Sequence, residues 1–176
     1  MRKFFFTHKT SIVEDSAIIG AKTKIWHWSH ISAKAQIGSN CTIGQNVFVG
    51  KNVKIFSNVK IQNNVSVFEG VTLKKNVFCG PGVVFTNVKY PRSKYKTPSK
   101  KYDKTVINEN VTIGANSTIV CGLKIGKYSF IGAGSVVTKN VKANSVVAGN
   151  PAKVIAWICN CGKKKSKTKI KNNKCS

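Results

Sequence analysis

The chain has 176 residues, the length of one domain, and a formal net charge of +25 from 30 Lys and Arg against 5 Asp and Glu. At 41% hydrophobic residues it is too apolar for a disordered polyelectrolyte, and no apolar run approaches the roughly 20 residues of a membrane span. The charge suits polyanions: nucleic acid, anionic membrane or phosphorylated small molecules. Most of the lysines read as solvating the outside, because they avoid the core positions identified next.

The start, Met1-Arg2-Lys3-Phe4-Phe5-Phe6, is interrupted by Thr7, His8 and Lys9. That is short of the about 7–15 apolar residues of a signal-peptide core, so a cytoplasmic protein is expected. A repeat then begins. Every sixth residue is apolar: Val13, Ile19, Ile25, Ile31, Ile37, Ile43, Val49, Ile55, Ile61, Val67, Leu73, Cys79 and Phe85. Two places before each aliphatic, from Ala17 to Val83, stands a small or β-branched residue. The place after it is often Gly, as at Gly20, Gly38, Gly44, Gly50 and Gly80. The register breaks over residues 88–104, which are rich in Pro and Lys, and resumes at Ile107, Ile113, Ile119, Ile125, Ile131 and Val137.

A period of six suits neither a helix nor plain strand alternation. It suits a short strand and a turn, three of which close a triangular coil of about 18 residues around one narrow core. The expected fold is all-β: a parallel β-helix with one long external loop. Small residues should fill the corners, and glycines should take the positive-φ turn positions. The expected division is a β-helix over 1–145 with the inserted loop 88–104, a short C-terminal extension over 146–158, and a basic, Cys-containing tail over 159–176.

Residues about 18 apart stack on one side of such a coil. His27, Gln45, Asn63 and Pro81 fall in one column, and Trp28, Asn46, Asn64 and Gly82 in the next. Stacked Asn and Gln can simply hydrogen-bond along the axis. As a cluster they also offer the neutral donors and acceptors that a sugar nucleotide needs. Histidine is the usual base near neutral pH; His27 and His30 are candidates, each equally readable as structural, and His8 near the end reads as incidental.

The repeat, the single loop and Gly149-Asn150-Pro151-Ala152-Lys153 resemble the left-handed β-helix acyltransferases. Four segments narrow the likeness: Ile25-Trp26-His27-Trp28-Ser29-His30, Gly44-Gln45-Asn46-Val47-Phe48-Val49-Gly50, Lys60-Ile61-Gln62-Asn63-Asn64-Val65-Ser66-Val67, and Val77-Phe78-Cys79-Gly80-Pro81 with Phe85-Thr86-Asn87-Val88. Over roughly residues 7–158 the chain resembles the bacterial enzymes that acetylate the 3-amino group of UDP- or dTDP-linked sugars. The resemblance implies left-handed coils, a homotrimer, and acetyl-CoA as co-substrate. It also implies an amine that needs no dedicated protein base, its proton passing to the departing CoA sulfur. Asn87 matches the family residue held close to the reacting amine, though Asn also opens loops. Arg92, in the loop, would hold a carboxylate or diphosphate. Gln45, Asn46, Gln62, Asn63 and Asn64 are the substrate-surface candidates. Gly114, Ala115, Gly132 and Ala133 would let a pantetheine arm lie on backbone amides, and Lys139 and Lys153 would meet CoA phosphates.

Cys41, Cys79 and Cys121 read as small buried hydrophobes. Cys159, Cys161 and Cys175 resemble part of a C-terminal zinc ribbon found in some relatives, but a closed site takes four ligands and the tail has three, so zinc is doubtful and a degenerate ribbon is expected. Disulfides are not expected in a reducing compartment. Two other functions remain open: an O-acetyltransferase of the same fold, and a non-enzymatic basic scaffold binding polyanions. No nucleic-acid motif is present, so nucleic acid is not the expected partner, nor is a membrane. A zinc-dependent carbonic anhydrase of this fold would need histidines in the later coils, and all three here precede residue 31.

Overall fold

The computed structural model describes residues 4–165. Short strands recur along the chain and every third one pairs in parallel, giving three sheets wrapped as a prism. The first face holds Phe6–Thr7, Lys24–Ile25, Thr42–Ile43, Lys60–Ile61, Phe78–Cys79, Thr112–Ile113 and Phe130–Ile131. The second holds Ile12–Val13, His30–Ile31, Phe48–Val49, Ser66–Val67, Val84–Phe85, Thr118–Ile119 and Val136–Val137. The third holds Ile18–Ile19, Gln36–Ile37, Lys54–Ile55, Val71–Leu73, Thr105–Ile107 and Lys124–Ile125. Lys60 lies over Thr42 and Ile61 over Ile43. Past the inserted loop the register is kept, with Cys79 facing Ile113 and Phe85 facing Ile119. The loop is therefore extruded from one corner without disturbing the coils.

The period of six produces this by aiming the second residue of each two-residue strand inward. From Ile25 to Ile131 that row is buried almost completely. Each such Ile contributes about 1.5–3 kcal/mol, and the row forms one continuous core along the axis. Val13, Ala17 and Ile19 are only partly buried, because the first coil is covered from one side. The corner residues are buried as expected except Ala17 and Leu123, which are partly covered, and some do more than fill space. The Thr23 hydroxyl donates to the Gly38 carbonyl at 2.7 Å and accepts from the Cys41 amide at 3.0 Å. Ser29 does the same between Gly44 and Val47. Small hydroxyls thus rivet one coil to the next.

The expectation that glycines take positive-φ positions holds at Gly70, Gly82, Gly122 and Gly134, and needs correcting for the five that follow the aliphatic. Gly20, Gly38, Gly44, Gly50 and Gly80 do not have positive φ; that conformation falls mainly on asparagines such as Asn40, Asn46, Asn58 and Asn64, and on Trp28 and Tyr128. Asn tolerates the left-handed region better than other residues with a side chain. The five glycines are required by stacking instead. A Cβ on any of them would lie 2.5–2.8 Å from an atom of the next coil. At Gly114 it would lie 2.4 Å from the Ala133 amide nitrogen. Gly114→Ala is accordingly expected to lower stability by about 1–3 kcal/mol, read as a drop in thermal midpoint; an unchanged midpoint would contradict this stacking.

At the far end Ser145–Gly149 joins the first face, Val146 pairing with Phe130. The chain turns at a cis Asn150–Pro151 bond, and Ala152–Ile158 returns antiparallel. Lys164–Lys165 adds a further antiparallel pairing. Among the described residues no helix is long and apolar enough to cross a membrane.

Candidate active site

The corner between the first and second faces carries the amide ladder. Asn46 donates from Nδ2 to Asn64 Oδ1 at 2.9 Å, and the Gln45 backbone amide donates to Asn63 Oδ1 at 2.9 Å. Gln45, Asn46, Asn63 and Asn64 are exposed, with Gln62 half-buried beside them. The positive-φ residue of each coil also ties down the coil below: Asn64 donates its amide to Gln45 O and Asn46 to His27 O, each at 2.9 Å. The side chains therefore stand on a fixed backbone.

Further along this corner the same column becomes Pro81, Ala115 and Ala133. Asn63 caps the amide of Gln45, but no carboxamide stands over Ala115, and among the described residues the Ala115 and Ala133 amides have no hydrogen-bond partner. The corner thus changes from a polar side-chain surface to bare backbone donors. Gly114 and Gly132 are explained by stacking alone, so the open amides belong to the alanines. Lys153 lies nearby, paired with Ala148, whose Cβ would contact a side chain at Gly132.

The histidines separate. The His27 ring lies on this corner with the His8 ring 3.6 Å away, centroid to centroid. His8 is thus part of the corner and not incidental. Desolvation first, then the His27 and Lys9 charges, hold its pKa below the usual range. His30 is on the second face, its Nε2 2.8 Å from Glu14 Oε1 and its ring edge-on to Phe48. Hydrogen bonds from His30 and then from the Ala33 amide hold the Glu14 carboxyl below its ordinary value. His30 is therefore engaged in a structural pair.

Asn87 lies at the opposite edge of the second face, where the loop leaves. Its carbonyl accepts from the Asp103 amide at 3.3 Å, while among the described residues its carboxamide has no partner. Asp103 Oδ2 lies 3.5 Å from Cys121 Sγ, and Thr86 Oγ1 accepts from the Cys121 amide at 3.0 Å. These residues clasp the two ends of the loop. The sequence reading missed this clasp, although Asp103 is one of only 5 acids and stands where the repeat resumes. Cys121 is buried, but at this corner and outside the aliphatic core. Cys79 is fully buried in the core, and burial pushes its thiol up to about 12. Arg92 is exposed and bonds the Pro91 carbonyl at 3.1 Å. Lys139 is on the same side as Asn87, away from Gly114, Ala115, Gly132 and Ala133. One copy of the chain therefore holds the candidates in two groups on the two edges of one face.

Cys159 and Cys161 are joined in a disulfide. That corrects the expectation of no disulfides and occupies two of the three candidate zinc ligands. Cys175 lies outside the described residues, and among those described no group of three metal-ligating side chains exists.

The bacterial transferase hexapeptide family (six repeats) matches residues 16–51 and 104–139, on both sides of the loop. The hexapeptide repeat of succinyl-transferase matches residues 34–69. Coils of this build are the scaffold of the hexapeptide-repeat acyltransferases, and the chain is such an enzyme. It is 42% identical over 159 residues to the dTDP-3-amino-3,6-dideoxy-alpha-D-galactopyranose 3-N-acetyltransferase of Aneurinibacillus thermoaerophilus, covering 90% of this chain and 81% of the relative. The chain belongs to that family, the nucleotide-linked 3-amino-sugar N-acetyltransferases of the left-handed β-helix fold. Two solved structures share the fold. The acetyltransferase domain of PglB from Neisseria gonorrhoeae has a TM-score of 0.57 at 20% identity, covering 86% of this chain and 57% of that one. AntD, an N-acyltransferase from Bacillus cereus in complex with dTDP and 3-hydroxybutyryl-CoA, has a TM-score of 0.53 at 19% identity, covering 97% and 84%.

Proposed function

We propose that this enzyme transfers the acetyl group of acetyl-CoA to the C3 amine of a sugar carried on a nucleotide, in the synthesis of a surface glycan, and that it works as a homotrimer with its sites between copies. The observation that carries the reading is the first corner, where the Asn and Gln side chains of the ladder give way to alanines, with the Ala115 and Ala133 amides left open. A sugar nucleotide suits the ladder, and a pantetheine arm, with its own amide carbonyls, suits the open donors. The names of the relatives point the same way.

The second face supports the trimer. Outward residues of the first face include Lys24 and Lys60, and those of the third include Lys54 and Lys124. Those of the second are Ile12, His30, Phe48, Ser66, Val84, Thr118 and Val136, with no lysine. Interface centres are depleted of charge, and in a chain of net charge +25 this is the face on which copies meet with least repulsion. Both edges of that face then rim the contact, so the ladder of one copy meets Asn87 and the loop of another.

In the reaction the neutral amine attacks the thioester carbon. The C–N bond forms, the C–S bond breaks, and the proton leaves nitrogen for the CoA sulfur. The protein's task is orientation. Asn87 accepts a hydrogen bond from the amine and aims its lone pair; Arg92 holds the substrate's anionic group; Lys139 and Lys153 meet CoA phosphates. With no dedicated base, His27→Ala and His30→Ala each keep substantial turnover once folded protein is counted. A loss of around 10³-fold in kcat with KM intact would instead mark a general base. The cofactor half has its own test. Ala133→Asn would cap the Ala115 amide as Asn63 caps Gln45. The expected result is a KM for acetyl-CoA raised at least about 10-fold, with an unchanged thermal midpoint; an unchanged KM would remove the open amides from the site.

A further inference from the structure

We propose that Asp103 is a positioning residue for acetyl transfer: its carboxylate, held by Cys121, fixes the returning end of the inserted loop and through it the place of Asn87. The inference rests on the role proposed for Asn87. The loop leaves the coil at Asn87 and the next strand begins at Thr105, so its two ends close on each other beside the reacting amine. Asp103 makes that closure in two directions. Its backbone amide donates to the Asn87 carbonyl at 3.3 Å. Its Oδ2 accepts from the Cys121 thiol, 3.5 Å from Sγ.

The coils on either side are shaped to admit it. Gly70, in the coil before, has φ +98°, and a Cβ there would lie 3.0 Å from the Asp103 carbonyl oxygen. Gly122, in the coil after, has φ +82°, and a Cβ there would lie 3.5 Å from Asp103 Cβ. Thr105, two residues on, is tied to both coils. Its amide donates to the Gly70 carbonyl at 3.1 Å, and its Oγ1 accepts from the Gly122 amide at 3.0 Å. By the register that sets Phe85 against Ile119, Cys121 stacks on Asn87, so the thiol adjoins both residues. Burial above all, and the carboxylate beside it, raise the Cys121 thiol above its ordinary value. It stays protonated at neutral pH and keeps its hydrogen to donate. Asp103 is exposed, yet among the described residues no lysine or arginine pairs with it, in a chain that has 30 of them. Ion pairing does not explain the side chain; the contact with Cys121 does.

A shift of about 1 Å at a reacting group can cost about 100-fold in rate, and loosening one end of the loop costs less. A double-variant cycle assayed with dTDP- and UDP-linked 3-amino sugars tests the proposal. Asp103→Ala is expected to lower kcat about 10-fold, with KM for acetyl-CoA and the thermal midpoint unchanged. Asp103→Asn, which keeps an oxygen for the thiol, should retain most of the wild-type kcat. In the Asn87→Ala background, Asp103→Ala should cost less than about 2-fold more, because nothing is left to position. Wild-type kcat in Asp103→Ala, with Asn87→Ala impaired, would overturn the positioning role and leave that of Asn87 standing. The full loss repeated in the Asn87→Ala background would overturn it too, since Asp103 would then act independently of Asn87. So would an Asp103→Asn variant as impaired as Asp103→Ala, where charge and not the contact counts. Wild-type turnover in Asn87→Ala itself would remove both roles.

Discussion

Placing one lysine at the centre of the second face, as Val84→Lys, is expected to separate the proposed trimer into monomers and lower kcat/KM at least about 100-fold, or roughly 2.7 kcal/mol. Val84 is the outward residue of its strand and is half-buried, with its partner Phe85 filling the core. The substitution therefore adds charge outside the coil without opening a cavity within it. In a three-fold contact the new charge enters three times, in a chain already at +25. Sedimentation gives the assembly, thermal melting shows that the coil is intact, and turnover reports whether the site needs two copies. A Val84→Lys chain that stays trimeric with wild-type turnover would move the contact to another face.

Asn87→Ala is expected to lower kcat/KM at least about 10-fold, or roughly 1.4 kcal/mol, with acetyl-CoA affinity and assembly nearly unchanged. The residue is held by its backbone, through the Asp103 amide on its carbonyl, so removing the carboxamide leaves the loop clasp in place. Orientation of a bound amine is worth several kcal/mol when both reactants are otherwise held. Substrate turnover at the wild-type rate would leave Asn87 as a turn residue and deprive the loop mouth of its place in the site.

The fold was legible because the repeat leaves little freedom. An apolar residue every six positions, from Val13 to Phe85 and again from Ile107 to Val137, has one arrangement that gathers them into a single core, with only Val13 and Ile19 of the first coil left partly covered. The amide ladder was legible for the same reason, since a stacking of about 18 residues turns sequence distance into contact, as Asn46 with Asn64 shows. Three things were not legible. Periodicity counts positions but does not say which of them has positive φ, so the glycines after the aliphatic were given a role that Asn46, Asn64, Gly82 and Gly134 hold, while Gly44 and Gly114 answer to a neighbouring coil's backbone. Non-periodic contacts were hidden too: the His8–His27 stack at the first coil, and the clasp of Asp103, Thr86 and Cys121 around the loop. Last, the disulfide between Cys159 and Cys161 lies outside the repeat, where spacing carries no information about pairing.

Acetyl transfer to a nucleotide-bound amine is the chemistry proposed for the first corner. It is tested most directly by release of free CoA thiol from acetyl-CoA in the presence of dTDP- and UDP-linked 3-amino sugars, with the matching 3-hydroxy sugars alongside. The expected result is thiol release that depends on the amino sugar, saturates with it, and yields an acetamido product one acetyl group heavier. Release only with the hydroxy sugars would make the enzyme an O-acetyltransferase, and no release with any sugar nucleotide, from folded protein that still binds acetyl-CoA, would contradict the account.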